Sequence, residues 1–322
     1  MNNKQKYIEF CKNEKVMPIF SKPFWLDAVC GEDGWDVILV EKGGKIFASM
    51  PYVKPIVRYS LTYSTMPKLT QTLGPYISYP KGQKYVKRLA FEKEIINLLI
   101  EKIPFCDYFS QNFDYNYKNW LPFYWNKYQQ TTRYTYILND LIDYENVYNG
   151  FQSNIKTDIK KAQKVLKVNF KEELKIIYNT VEKTFIRQSK KIPFDFSYFE
   201  NIDKALLKNA NRLSLSAVDE IGNVHAVVYI IYNENEAYYL LGGGDPKYRN
   251  SGAHSFLINE ALKLLTTKTK IFNFEGSMIE PVERFFRAFG AIQKPYFQIT
   301  KLSRKAKILY GLKNLANDII KG

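Results

Sequence analysis

The sequence predicts an α/β fold built twice in tandem, each copy a mixed, mainly antiparallel sheet flanked by helices. Three observations predict it. The chain has 322 residues, and two domains of about 150 residues are the expectation for that length. Residues 35–50 (WDVILVEKGGKIFASM) and 213–228 (LSLSAVDEIGNVHAVV) each read as an apolar run, an acidic residue, a glycine-centred turn and a second apolar run. Without gaps, Val40 faces Val218, Gly44 faces Gly222 and Ala48 faces Ala226. Residues 123–137 (FYWNKYQQTTRYTYI) and 285–299 (FFRAFGAIQKPYFQI) form a second pairing in the same chain order, aromatic at the start and strand-like at the end. The predicted division is 1–145 and 146–322.

The first half is expected to open with a short helix at 24–30, followed by the 35–53 hairpin. A stretch rich in Pro, Gly and Thr (64–80) reads as a long loop. Residues 83–101 have helical periodicity, with Leu89, Ile96, Leu99 and Ile100 on one side. A strand at 107–111, a short helix at 122–127 and a strand at 133–138 complete the half.

The second half begins with a lysine-rich helix over 146–167, then helices at 172–188 and 198–209. Strands are expected at 213–219, 224–232 and 236–242, a helix at 252–265 and a strand at 270–274. A helix at 281–289 starts with Pro281, which suits a first helical turn because its missing N–H has no intrahelical partner there. A strand at 295–301 ends the unit.

The composition, 46% hydrophobic and 25% charged, is that of a globular chain rather than a disordered one. The formal net charge of +15 favours anionic partners: nucleic acid, a phosphorylated cofactor or an anionic membrane surface. Cys11, Cys30 and Cys106 are scattered and form no CxxC pair, and the two histidines are His225 and His254. That inventory argues against a disulfide framework and against a His/Cys metal centre. No run of about 20 apolar residues is present, and the N-terminus has no signal-peptide core. A soluble cytoplasmic protein is expected.

Residues 238–291 carry a family resemblance. They hold YYLLGGGDPKYRNSGAHSFLINEAL and KIFNFEGSMIEPVERFFRAFGA. Arg249-Asn250-Ser251-Gly252-Ala253-His254 is similar to the phosphate-cradling Q/R-x-x-G-x-G/A loop of the GNAT superfamily, with His254 departing at the sixth position. Phe272-Asn273-Phe274-Glu275-Gly276 is similar to the F-D-F-x-G strand end of the FemAB-like branch. Lys156-Thr157-Asp158-Ile159-Lys160-Lys161-Ala162 is similar to its R-x-x-I-R-K-A helix. The resemblance implies two GNAT-like halves and transfer of an acyl group to an amine. It also implies either a CoA thioester or an aminoacyl-tRNA as donor, and an amine-bearing cell-envelope glycan or peptide precursor as acceptor.

Direct acyl transfer requires a group that takes the amine proton, donors for the oxyanion and an acid for the leaving group. Glu275, at the end of the apolar IFNF strand, is the candidate base, since burial there raises a carboxyl pKa. The donor is expected at the loop over 242–252, where Gly243 and Gly244 permit unusual φ/ψ and close approach. There Lys247 and Arg249 add charge, and Gly252, Ala253 and His254 open a helix whose N-terminus favours anions. Phe286 stands where many GNAT enzymes carry a tyrosine acid, so that acid is missing. His225, inside an apolar strand, reads as structural.

Tyr63, Lys68, Thr70, Gln71 and Tyr76 in or beside the 64–80 loop are the acceptor candidates, with Arg287 directed to Glu275 or a donor phosphate. Glu280 and Arg284 stand at i,i+4 in the order favoured for a surface pair. Lys156, Lys160, Lys164 and Lys167 recur at helical spacing as a basic face. The C-terminal stretch, with Leu309, Leu312, Leu315 and Ile319, reads as a basic amphipathic helix able to pack on its own domain or to lie on anionic lipid at the inner membrane face. The class alternative to an enzyme is a non-catalytic nucleic-acid or membrane-surface binding protein on the same scaffold.

Overall fold

A computed structural model describes residues 1–276 and 278–311. Two compact units are present: one is Met1–Arg133 together with the stretch that begins at Pro295, the other is Tyr134–Lys294. The cut expected at 145/146 therefore falls inside the second unit, and the chain passes between units within two strands rather than in a linker. The physical reason is strand pairing: the final strand finds its antiparallel partner in the first unit, over Gln298↔Asn112 to Leu302↔Tyr108.

In the first unit, helix α1 (Asn3–Asn13) is followed by a 3₁₀ turn at Ile19–Ser21 and α2 (Pro23–Cys30). Helix α1 starts at a reciprocal capping box between Asn2 and Gln5, which satisfies two helix-end donors. Strands β1 (Trp35–Lys42) and β2 (Lys45–Val53) are the first expected hairpin, with Gly43 and Gly44 at φ of 57° and 75° in its turn. Ahead of the stretch expected as loop, strands β3 (Ile56–Arg58) and β4 (Leu61–Ser64) form a hairpin that no reading of the sequence anticipates, and within that stretch β5 (Tyr76–Ile77) pairs with β2. Helix α3 (Tyr85–Glu101) buries Ile95, Ile96, Leu99 and Ile100 against Ile38, Val40, Ala48 and Met50, whereas Leu89 is exposed. Strand β6 (Tyr108–Asn112), α4 (Leu121–Trp125) and the first half of β7 (Gln129–Leu138) complete the unit.

In the second unit the expected lysine-rich helix is broken. It is replaced by α5 (Tyr144–Asn149), α6 (Ser153–Ala162) and a short strand β8 (Lys167–Asn169). The break is tertiary: Gly150 packs so closely on Gly290 that a β-carbon at Gly290 would lie 2.7 Å from the Gly150 oxygen, and Gln152 N donates to Ala288 O. Lys164 and Lys167 thus leave the helix, and no continuous basic helical face runs from 156 to 167.

Helices α7 (Leu174–Arg187) and α8 (Phe196–Asn209) precede β9 (Asn211–Val218), β10 (Val224–Tyr232) and β11 (Glu236–Gly244). Gly222, at φ 87°, turns β9 into β10 as Gly44 turns β1 into β2, so the residues matched by the repeat play matched roles. Next come α9 (Ala253–Leu265), β12 (Ile271–Asn273), α10 (Glu280–Arg287) and β13 (Ile292–Leu302). The second repeat pairing also holds, because α4 leads into β7 as α10 leads into β13. Residues 304–311 are helical. Leu312, Leu315 and Ile319 of the expected amphipathic helix lie outside the described residues.

The strand order of the second unit is β7-β12-β11-β10-β9-β8. Only β11 and β12 run parallel; the other pairs are antiparallel. The central strand β10 is apolar and buried along nearly its whole length, as expected of a strand covered on both faces. Helix α9 packs on β9, β10 and α6, and α7 packs on β10 and β11.

Candidate active site

The site follows from how two strands part. β11 and β12 are hydrogen-bonded only over Glu236↔Ile271, Ala237↔Phe272 and Tyr238↔Asn273. Beyond that, β11 continues to Gly244 on β10 while the chain after Asn273 turns away. Within the second unit a cavity of about 640 Å³ is walled by the far end of β11, the end of α7, the head of α9 and the apolar face of α10. That volume is in the range of small-molecule sites.

Most of the expected donor residues come together here. Gly243, Gly244, Arg249, Gly252, Ala253 and His254 all line the cavity. Lys247 does not: it lies on the neighbouring surface, with Nζ 5.2 Å from the Tyr248 ring centroid. The glycines act otherwise than expected. None of Gly242, Gly243 and Gly244 has a positive φ, and all three are ordinary strand residues of β11. Their contribution is the missing β-carbon. At Gly243 it would lie 2.7 Å from Val181 Cα, so α7 can approach the strand, and Thr184 Oγ1 then accepts from Gly244 N at 3.1 Å.

The left-handed residue is Gly252, the N-cap of α9 at φ 76°. It has no side chain of its own to cap the helix; Ala253 N donates to Ser251 Oγ at 3.3 Å, and the start of α9 lines the cavity as an anion-favouring helix end. Arg249 is beside them.

Sequence reading missed two residues of this wall. Tyr239 of β11 lines the cavity with its hydroxyl 2.6 Å from His254 Nε2. Burial raises the Tyr239 pKa and lowers that of His254 to about 4, so the two are a neutral pair. The Gly-rich run was the only sequence sign of that crowding. His225, expected to be structural, is also in the wall: its ring stacks on Tyr248 at 3.9 Å and Nε2 is 3.3 Å from Asp219 Oδ2. Phe286 stacks on Phe274, with centroids 4.9 Å apart, and meets Tyr239 edge-on.

Glu275 follows β12 and does not line this cavity. Its backbone is left-handed at φ 59°, a conformation that costs a non-glycine residue about 1–2 kcal/mol. Among the described residues Glu275 Oε1 is buried without a hydrogen-bond partner, and burial together with the nearby Glu236 carboxyl pushes its pKa well above the usual carboxylate range. Its N–H donates to Asn273 Oδ1 at 2.8 Å. Asn273, at the Asp position of the strand-end motif, also accepts from Thr135 Oγ1 at 2.5 Å and donates to Glu236 Oε1 at 2.8 Å.

Arg287 is engaged elsewhere than expected. Its Nε donates to Glu283 Oε1 at 2.8 Å, and Glu283 also accepts from Tyr136. The i,i+4 ion pair of α10 is thus Glu283–Arg287 rather than Glu280–Arg284.

The acceptor candidates of the first unit do not converge. Thr70 is buried and accepts from Trp25 Nε1, the Gln71 backbone oxygen accepts from Asn112, and Lys68 is exposed. Tyr63 packs edge-on against Tyr108. Tyr76 lines a cavity of about 230 Å³ that Arg88, Asp114 and Tyr117 also line. Among the described residues no cluster of His, Cys, Asp and Glu is suited to a metal ion, and no helix is long and apolar enough to cross a membrane.

No family model and no curated protein matches the sequence. Solved structures do. FemX is similar over 97% of this chain and 98% of its own, with a TM-score of 0.67 and 13% identity. The C-terminal domain of a putative lysylphosphatidylglycerol synthetase from Agrobacterium fabrum is similar over 88% and 89%, with a TM-score of 0.50 and 12% identity. A tandem GNAT protein from the clavulanic acid biosynthesis pathway is similar over 84% and 83%, with a TM-score of 0.50 and 8% identity. At these identities the likeness is one of fold: the chain has the tandem GNAT-type α/β fold of FemX-like structures.

Proposed function

We propose that the chain is an acyltransferase that moves an acyl group directly from a donor to an amine of a cell-envelope glycan or peptide precursor. One observation carries this reading. β11 runs on past Tyr238, where its pairing with β12 ends, and the cavity at its far end is lined by the head of α9 and by Arg249. A helix end and an arginine suit the phosphates of a large donor, and the apolar α10 wall suits its acyl arm.

The donor in this proposal is a CoA thioester, supported by the Arg249–Gly252 loop and its left-handed glycine. Gly243, Gly244, Ala253 and His254 would contact it, and Lys247 would act from outside the cavity on its outer phosphates. Glu275 takes the base role because it has a raised pKa, an unpartnered buried oxygen and a strained backbone, a combination typical of functional carboxyls. The amine attacks the acyl carbon, and no enzyme nucleophile is needed. Tyr76 is retained as an acceptor contact in the first unit; Tyr63, Lys68, Thr70 and Gln71 do not gather round it, and Arg287, in the second unit, is held by Glu283.

A second donor, aminoacyl-tRNA, is favoured by the net charge of +15 and by Phe286 in place of a tyrosine acid. Calorimetric titration with acetyl-CoA and with a charged tRNA separates the two. Saturable heat with acetyl-CoA, weakened by Arg249→Ala, is expected; binding of the charged tRNA alone would replace the CoA version. Silence toward both, with no transfer to amine acceptors, would leave the chain as a non-catalytic binding protein. Work next to the membrane, on a lipid-linked acceptor, fits the same reading.

A further inference from the structure

The acyl-transfer reading leaves one proton without a source. The departing thiolate or alkoxide needs an acid, and α10 brings two phenyl rings to the cavity, Phe285 and, at the position of the missing tyrosine, Phe286. Tyr239 stands against the Phe286 ring, with centroids 5.6 Å apart, and carries a hydroxyl. The hydroxyl is 2.6 Å from His254 Nε2, and both side chains line the cavity. The pair exists because residue 242 has no side chain. A β-carbon at Gly242 would lie 1.5 Å from the Tyr239 hydroxyl oxygen and 3.0 Å from His254 Cε1.

We propose that Tyr239 is the general acid of this site and that His254 is its positioning residue, holding Tyr239 through a hydrogen bond donated from Nε2–H. This rests on the acyl-transfer reading. A neutral imidazole carries one N–H. With that hydrogen on Nε2, His254 donates to the phenol oxygen, and the phenol hydrogen is free to point into the cavity. With it on Nδ1, the phenol would donate to His254 and have nothing for a leaving group. His254 therefore takes the sixth position of the loop not as a phosphate cradle but as the partner that aims an acid.

When the tetrahedral adduct collapses, the bond from carbon to sulfur or oxygen breaks, its electron pair stays on the departing atom, and the Tyr239 proton moves to that atom. The phenolate is held by His254 Nε2–H and regains a proton from solvent, to which the amine nitrogen has released one through the base. One proton passes from amine to leaving group, and nothing else is consumed.

The test compares donors whose leaving groups differ in their need for an acid. The full-length wild type and Tyr239→Phe would be assayed with acetyl-CoA, alanyl-tRNA and 4-nitrophenyl thioacetate, with glucosamine and a lysine-containing peptide as acceptors. The expected result is a kcat loss of about 10²–10³-fold with whichever natural-type donor is used and about threefold with the aryl thioester, whose thiolate departs unaided. His254→Leu should behave like Tyr239→Phe, and His254→Gln, which keeps an N–H donor, should recover part of the loss. Gly242→Ala displaces the hydroxyl while keeping both residues, and should show the same donor dependence should Tyr239→Phe fold poorly. An equal loss on all accepted donors, or none, overturns the acid role while leaving acyl transfer standing. A wild type that turns over none of the donors removes the acyl-transfer reading and the acid role with it. Nitrogen-15 NMR of the His254 ring adds a readout without turnover: a proton on Nδ1 overturns the assignment.

Discussion

Gly252 and Asp158 are in backbone contact: a β-carbon on Gly252 would lie 2.4 Å from the Asp158 carbonyl oxygen. Asp158 belongs to α6 and Gly252 caps α9, so the two helix-borne motifs picked out in the sequence, 156–162 and 249–254, meet in space. Lys161 Nζ donates to Asn250 O at 2.6 Å, and Ser255 Oγ donates to Asp158 Oδ2 at 3.3 Å, across the same junction. The 249–254 loop, the proposed donor loop, is therefore braced by the lysine-bearing helix rather than merely adjacent to it.

Gly252→Ala should accordingly cost at least about 2 kcal/mol, since it combines a left-handed φ with a backbone clash. The unfolding midpoint is expected to fall by roughly 5 °C in calorimetry. An unchanged midpoint would show that the α6–α9 contact is looser than this geometry.

Asn273→Asp, which restores the motif's usual residue, should destabilise this chain. It replaces the Nδ2 donor to Glu236 with a third carboxyl beside Glu236 and Glu275, at a site 1% exposed. A loss of about 2–4 kcal/mol at neutral pH is expected from urea unfolding, shrinking as the pH is lowered and the carboxyls protonate. A neutral or stabilising effect would mean that Glu236 does not depend on Asn273.

Glu275→Gln separates stability from activity. The folded-state pKa of Glu275 is raised above its ordinary 4.5, so the folded state holds the proton more tightly than the unfolded state. The favourable contribution is fully present below about pH 4.5 and is lost as pH rises from there through the folded-state pKa. The glutamine variant has no such loss. Its midpoint should match the wild type near pH 4 and exceed it increasingly toward neutrality, while transfer falls by about 100-fold or more. Parallel stability curves at all pH values would remove the buried-carboxyl account.

Arg249→Ala and Lys247→Ala test the geometry of the donor site against its charge. Arg249 lines the cavity and Lys247 does not. The Arg249 variant should raise KM for the donor about tenfold with kcat within about twofold, the signature of lost ground-state binding. The Lys247 variant should change KM by less than about twofold at physiological salt, where exposed charges are screened. Equal effects would mean that overall charge, not the cavity, holds the donor.

Local chemistry made much of the fold legible. The Gly44 and Gly222 turns, the α9 start after Gly252 and the short helix with Pro281 in its first turn all depend on backbone preferences within a few residues. Helix α1 went unread although Asn2 and Gln5 announce it, because its buried side is little more than Tyr7 and the periodic signal is weak. Residues 146–167 read as one lysine-rich helix because nothing local forbids it. Its break at Gly150 comes from Gly290, far along the chain.

The site divides in the same way. The loop proposed to hold the donor is legible from local sequence, since Arg249, Gly252, Ala253 and His254 are neighbours and a loop-to-helix junction necessarily gathers them. The repeat is legible too, because hairpins and helix–strand units carry their own turn residues. Only the tertiary structure decided that Tyr239 faces His254, that Arg287 belongs to Glu283, that Glu275 lies outside the cavity, and that the last strand pairs in the first unit. Those outcomes depend on where β11 and β12 part and on which strands pair. Pairing is set by summed contacts between distant segments, so no run of neighbouring residues encodes it.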